Sequence, residues 1–178
     1  MDKYLLLTKE GIDTYLQTLS DINWFNIQPN DKKVIAERLN EQKQGKDFVF
    51  SLYNLWFDAE GFEDHKSYES LLDEILEIVQ VPVLQKKVSY NEENRSVSIS
   101  LTTQKATYDY KIILDDFGGW IDENFIDIFI NEQILKGENM ENKFLALPMV
   151  DQTVQFVFVP QSTYNAAVDR GIIPQELN

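Results

Sequence analysis

The only histidine, His65, closes a run of carboxylates, with Asp58, Glu60, Glu63 and Asp64 before it. Carboxylate oxygens and an imidazole within a few residues are a donor set for a divalent metal. A calcium loop, however, needs a glycine at its sixth position and a glutamate at its twelfth. Counted from Asp58, those positions hold Glu63 and Glu69, so the glutamate fits and the glycine is missing. The run reads first as an exposed acidic loop and only second as a metal site. Nucleophilic catalysis has little to work with: a Ser-His-Asp set would have to use His65, and no G-x-S-x-G elbow occurs. Asp115 and Asp116 precede Gly118-Gly119. Paired carboxylates at a strand end can hold magnesium or exchange protons. They equally make a turn that favours a helix start behind it. The glycines match neither the dinucleotide fingerprint nor a P-loop. No catalytic residue, cofactor or metal ligand set is assigned. The enzymatic alternative is a metal-dependent hydrolase using Asp58, Asp64, His65 or Asp115.

Charge is the stronger signal. Among 178 residues, 30 are acidic and 16 are Lys or Arg, a formal net charge of −14. Such a chain is repelled by nucleic-acid phosphate and by anionic membranes. Lys86, Lys87, Arg95 and Lys105 form a basic cluster too small to reverse that. Residues 58–77 carry eight acids and one base, and residues 109–138 carry eight acids and two bases. These two windows hold nearly all of the excess. If the fold joins them, one face is strongly negative and speeds association with a cationic partner. The plainer reading is a solvated helix face plus a loop. The absence of cysteine rules out disulfides and thiolate metal sites and fits a reducing compartment. The apolar run Leu5 to Leu7 is too short for a signal core, and no stretch approaches the roughly 20 residues of a membrane span, so the cytoplasm is expected.

The elements that must carry these groups can be read from periodicity. Ile12, Tyr15, Leu16 and Leu19 predict a helix from about Thr8. Pro29-Asn30-Asp31 starts a second, with Val34, Ile35 and Leu39 as its stripe and an end near Gly45. Residues 48–57 are core as either strand or helix. Residues 67–80 form the clearest helix: Tyr68, Leu71, Leu72, Ile75 and Val79 share a face, Ser67 can cap it, and Pro82 stops it. Val97, Ile99 and Leu101 then alternate with Ser96, Ser98, Ser100 and Thr102, a half-buried strand. Lys87 to Tyr90 precedes it across the turn Asn91-Glu92-Glu93-Asn94, and Thr107 to Leu114 comes after it. Residues 121–135 predict a helix burying Ile121, Phe125, Ile128, Phe129 and Leu135, with Gly137 as C-terminal cap. Phe144 to Leu147 and Thr153 to Val159 are two more strands, and Ser162 caps a short last helix ended by Gly171. The expected class is α+β: N-terminal helices, then a mainly antiparallel sheet of about five strands with one long helix inserted and a short C-terminal helix. With no linker or repeat, residues 1–178 read as one domain, helical to about residue 80 and sheet-containing from about 81.

Residues 115–120 (Asp-Asp-Phe-Gly-Gly-Trp), the stretch IDENFIDIFINEQILKG, then KFLALP, DQTVQFVFVP and Arg170-Gly171-Ile172-Ile173-Pro174 make up roughly the last 65 residues. In layout and character this part resembles the small immunity proteins of bacterial polymorphic-toxin and contact-dependent-inhibition systems. The resemblance implies a cytoplasmic inhibitor that binds a cognate toxin domain, often a basic nuclease, and blocks it. It carries over no catalytic residue.

The expectation is therefore a stoichiometric protein-binding module. Asp58, Glu60, Glu63, Asp64, Asp115 and Asp116 would meet a cationic cleft, Glu92 and Glu93 join from a hairpin turn, and Trp120 is the apolar anchor. Trp24-Phe25, Trp56-Phe57, Tyr108 and Tyr110 read as core. The expected partner is a protein, with no nucleic acid, membrane or cofactor. A structural or regulatory domain of a larger assembly is the other non-enzymatic alternative.

Overall fold

The structure is a computed structural model that describes residues 9–25, 31–41, 51–149 and 151–174. Two helices open it. In α1 (Lys9–Asp21) the stripe Ile12, Tyr15, Leu16 and Leu19 is buried as its spacing requires. In α2 (Asp31–Glu41) Ile35 and Leu39, four apart, are buried, whereas Val34 is over a third exposed and is not part of the stripe. Pro29, Asn30 and Gly45 lie outside the described residues. Of the ambiguous stretch 48–57, Leu55–Asp58 is strand β1, and residues 48–50 lie outside the described residues.

Helix α3 (His65–Val79) buries Tyr68, Leu71, Leu72, Ile75 and Val79. Its N-cap is Asp64, not Ser67: the Asp64 carboxylate accepts from the Lys66 and Ser67 amides at 2.8 and 3.2 Å. A carboxylate at that position meets both the free amides and the positive helix end. Ser67 instead donates to the Gly61 carbonyl at 2.8 Å.

The fold class is α+β, but the strands form two three-stranded antiparallel sheets, not one sheet of about five. β2 (Val83–Asn91), β3 (Ser96–Thr103) and β4 (Thr107–Ile113) make a meander with β3 central. β5 (Asn142–Ala146) and β6 (Thr153–Pro160) pair with each other, and β6 also takes β1, in the order β1-β6-β5. The separation has a simple cause: a helix stands between β4 and β5 in the chain, and the other neighbour of β6 comes from the N-terminal half. Leu55 faces Phe156 and Phe144 faces Phe158 in this register.

Strand β6 is buried on both sides, which explains its nearly unbroken apolar sequence. Phe156 and Phe158 point into a core shared with α3, the meander and the long helix, while Val157 and Val159 point into a second core with α1, α2 and α4 (Gln161–Asp169). The α4 N-cap is Pro160 with no side-chain cap bond, so Ser162 does not serve there; Gly171 does end the segment, at φ +70°. Among the described residues no helix is long and apolar enough to cross a membrane.

The long helix differs most from expectation. Residues Phe125–Leu135 are a π-helix, with Phe125, Ile126, Phe129, Ile130, Asn131, Ile134 and Leu135 buried. Ile134 lies nine residues after Phe125, which in an α-helix is two and a half turns, on the opposite side. The wider i→i+5 winding keeps the pairs Phe125-Ile126, Phe129-Ile130 and Ile134-Leu135 on one face. It also turns Ile128 outward, 44% exposed, against the α-helical expectation that buries it. Ile121 is only partly buried and precedes the helix. Buried Asn131 adds a polar reason for this register. Its side chain donates to the Phe144 carbonyl and accepts from the Phe144 amide, both at 2.9 Å, as a neighbouring strand would. It thus covers the open edge of β5.

Gly137 is not the C-terminal cap. It is helical, and Asn139 takes the left-handed position at φ +57°. A Cβ at Gly137 would stand 2.5 Å from the Tyr108 Oη and 2.7 Å from its Cε1. The glycine is there to admit the Tyr108 ring. That ring is fixed by a 2.7 Å bond to the Glu138 carboxylate, which also accepts from Thr103 Oγ1 at 2.7 Å.

Candidate protein-binding face

β1 ends at Asp58, whose Oδ1 accepts from the Glu60 amide at 2.9 Å and turns the chain. The next residues run antiparallel to residues 118–121. The Ile121 amide donates to the Ala59 carbonyl and the Phe62 amide to the Gly119 carbonyl, both at 2.9 Å, and Glu60 and Trp120 form an isolated bridge. This pairing ties the first acidic window to the start of the second. Gly61, Gly118 and Gly119 sit at φ +87°, +60° and +91°. At Gly119 the requirement comes from the backbone, since φ +91° is a conformation that side chains with a Cβ rarely adopt; the Glu63 side chain lies alongside at ordinary contact distance. Glu60 is itself held from outside the loop: Gln152 Nε2 donates to its Oε2 at 3.0 Å.

Trp120 stands in this loop pair, 43% exposed. The segment just after it is pinned by hydrogen bonds, one buried and two part-buried. The Asp122 amide donates to Tyr68 Oη at 2.9 Å, Tyr110 Oη donates to Asp122 Oδ2 at 2.8 Å, and the Asn124 amide donates to Asp122 Oδ1. Burial, together with the neighbouring Asp122 charge, pushes the Tyr68 phenol up to about 12 and raises that of Tyr110, so both hydroxyls stay protonated. Phe125 packs edge-on against Tyr68 and Tyr110 beneath. The indole is therefore presented by a fixed base, which limits the ordering cost of a contact there.

Asp115 and Asp116 lie in a 3₁₀ turn (Leu114–Asp116) directly before this segment and are exposed. Asp115 is not free: its Oδ1 is 3.1 Å from Arg95 Nε. Both side chains of that pair are more than half exposed, so it adds little stability, but it neutralises one charge of the face. Arg95 comes directly after the Asn91-Glu92-Glu93-Asn94 turn, which brings Glu92 and Glu93 to the same end of the meander; both are exposed. Asn91 Oδ1 accepts from the Glu93 amide at 2.9 Å and shapes that turn. His65 stacks on Tyr90 with ring centroids 5.5 Å apart, joining the start of α3 to the same strand end.

The structure thus joins Asp58, Glu60, Glu63 and Trp120 directly through the loop pairing. It ties Asp115 and Asp116 to them through the chain, and the Glu92-Glu93 turn to Asp115 through Arg95. Asp64 is at the rim, but its carboxylate is occupied in capping α3. Among the described residues no three His, Asp or Glu side chains converge as metal ligands. No protein-family model, no curated protein and no solved structure matches the chain.

One residue of this face was missed in the sequence. Trp56, read as core, is 49% exposed, whereas Trp24 is buried and Phe57 packs on the core. The signal existed: strand alternation from buried Leu55 sends Trp56 and Asp58 to the same side. The one-sided strand was hidden by an apolar run too continuous to show its period.

Proposed function

We propose that the chain is a cytoplasmic immunity protein that neutralises a cognate cationic toxin domain by stoichiometric binding. One observation carries the reading: the Glu60–Trp120 bridge joins two acidic windows, far apart in sequence, around an exposed and rigidly based indole. Charge of one sign around an apolar anchor suits fast, selective docking of an oppositely charged surface. Glu60, Glu63, Asp116, Glu92 and Glu93 supply free charge, Trp120 and Trp56 supply area, and Asp115 and Asp64 contribute less because they are already paired or capping.

The test is affinity capture from lysate of the source organism, washed at low and high salt, with binding kinetics then measured on the captured protein. Reversal of Glu60, Glu63 and Asp116 to Lys should slow association and flatten its salt dependence. Trp120→Ala should speed dissociation, at a cost of about 2 kcal/mol or more if it is the anchor. Unchanged affinity across all four variants removes the site from this face, and a captured partner without a basic surface removes the reading.

A further inference from the structure

The outer face of the meander carries a second feature, independent of the acidic rim. Val88, Tyr90, Val97, Ile99, Leu101, Tyr108 and Ile112 face the core, so alternation sends Lys87, Ser89, Ser98, Ser100, Asp109 and Lys111 to the other side. There they line a groove of about 310 Å³, at the lower end of the range that small-molecule sites occupy. The register sets two adjacent cross-strand rows, Lys87–Ser100–Asp109 and Ser89–Ser98–Lys111.

The two lysines differ from most cations around the sheets, which are paired, although Lys66 on α3 is also exposed and without an ion pair among the described residues. Lys86 is held by Asp73 and Glu69, Arg95 by Asp115, Lys105 by Glu138, and Lys136 and Lys143 by Glu132. Lys87 and Lys111 are exposed, and among the described residues neither has an ion pair or a side-chain hydrogen bond. With acids nearly twice as numerous as bases, two unpaired ammonium groups over one groove are left for something else.

We propose that this groove binds the oxyanion of a small hydroxylated ligand, a phosphomonoester of a short polyol being the simplest, between Lys87 and Lys111 and above Ser98 and Ser100. Strand spacing and rise put the two lysine Cα atoms about 12 Å apart on the diagonal. Two flexible four-carbon stems close that gap onto a shared anion. The serine hydroxyls add donors from the floor of the groove, and bonds from ammonium to oxyanion are of the strong, charge-assisted kind. Asp109 is acceptor-only, so it repels a second anionic group and selects a ligand that offers a hydroxyl there. Lysines on edge strands also discourage edge-to-edge pairing; on that basis alone the groove stays empty.

The experiment is an amide-resolved NMR titration at constant ionic strength with glycerol 3-phosphate, inorganic phosphate and glycerol. Saturable shifts at residues 87–89, 98–100 and 109–111, tighter for glycerol 3-phosphate than for phosphate and absent with glycerol, are expected. Lys87→Met and Lys111→Met should each weaken binding about tenfold or more, and Asp109→Asn should remove the preference for glycerol 3-phosphate. All three side chains are exposed, so the remaining resonances report that the fold is kept. Shifts that never saturate, that follow every lysine alike, or that persist unchanged in both lysine variants overturn the site. Equal affinity for the two phosphates overturns the role of Asp109.

Discussion

Gly137→Ala tests how closely the helix and the meander are fitted. The new Cβ would lie 2.5 Å from Tyr108 Oη, 2.7 Å from Cε1 and 3.0 Å from Cζ, so the ring must move. Overpacking of this kind costs about 1–3 kcal/mol. Movement of the ring also stretches the 2.7 Å bond from Tyr108 to the Glu138 carboxylate, and a bond to a charged group is worth about 1.5–3 kcal/mol. Against this, alanine is favoured over glycine in a helix by about 1 kcal/mol. The net expectation is a loss of about 1.5–5 kcal/mol. The assay is urea unfolding of the wild type, Gly137→Ala, Tyr108→Phe and the double variant. Removal of Oη deletes the nearest clash and the bond together, so Gly137→Ala should cost less when combined with Tyr108→Phe, by about 0.5 kcal/mol or more. A glycine needed only as a left-handed cap would lose the same amount in both backgrounds. Equal costs, or a stabilised Gly137→Ala, refute the packing argument.

The same cores give three further outcomes. Ile134→Ala should cost about 2–5 kcal/mol and Ile128→Ala less than about 1 kcal/mol, a ranking that chemical denaturation checks and that an α-helical register would reverse. Asn131→Leu leaves the Phe144 amide and carbonyl buried without partners, at a cost of about 2–4 kcal/mol, and should raise hydrogen exchange at Phe144 before that of the rest of β5. Burial alone would raise the Glu138 carboxyl, but bonds from Thr103 and Tyr108 and the Lys105 charge outweigh it and hold it below the ordinary carboxylate range. Its contribution is therefore complete above the unfolded carboxylate range and is lost as pH falls through the folded value. The stability gap between wild type and Glu138→Gln should be constant near neutrality and close below about pH 4.

Much of the local structure was legible because it obeys one-dimensional rules. The buried stripe of α3 and the alternation in β3 are periodic patterns that tertiary context leaves alone. Four features were not legible: three have as their cause a contact distant in sequence, and one, the α3 cap, is a local choice between two capping residues three apart. Residues 125–135 look α-helical one turn at a time; only the demand that Phe125, Phe129 and Ile134 all meet the same core, with Asn131 on Phe144, selects the π winding. Gly137 looks like a cap because the Tyr108 ring that needs the space lies about thirty residues earlier. Ser67 looks like a cap until Asp64, already counted as site charge, is seen to do that work. The two sheets were hidden by a long-range contact, since the partner of β6 is β1, on the far side of the meander in sequence.

The candidate face shows how such a distant contact converts composition into geometry. Residues 58–64 and 115–120 are separated by a helix and a three-stranded meander, and neither window alone differs from an ordinary solvated acidic stretch. Alternation in β1 fixes where residue 58 leaves the sheet, and the Asp122–Tyr68–Tyr110 bonds fix where residue 121 enters the core. With both ends set, residues 59–62 and 119–121 run antiparallel, the glycines at 118 and 119 take the positive φ that the turn into Trp120 needs, and Glu63 lies alongside Gly119. The charges are exposed and individually weak, so their collective effect is on encounter rate and falls with salt. The indole is the group whose burial lengthens a complex's lifetime. A face of this construction separates the two kinetic roles onto different residues, so charge reversals and Trp120→Ala should act on different rate constants even when their effects on affinity are equal.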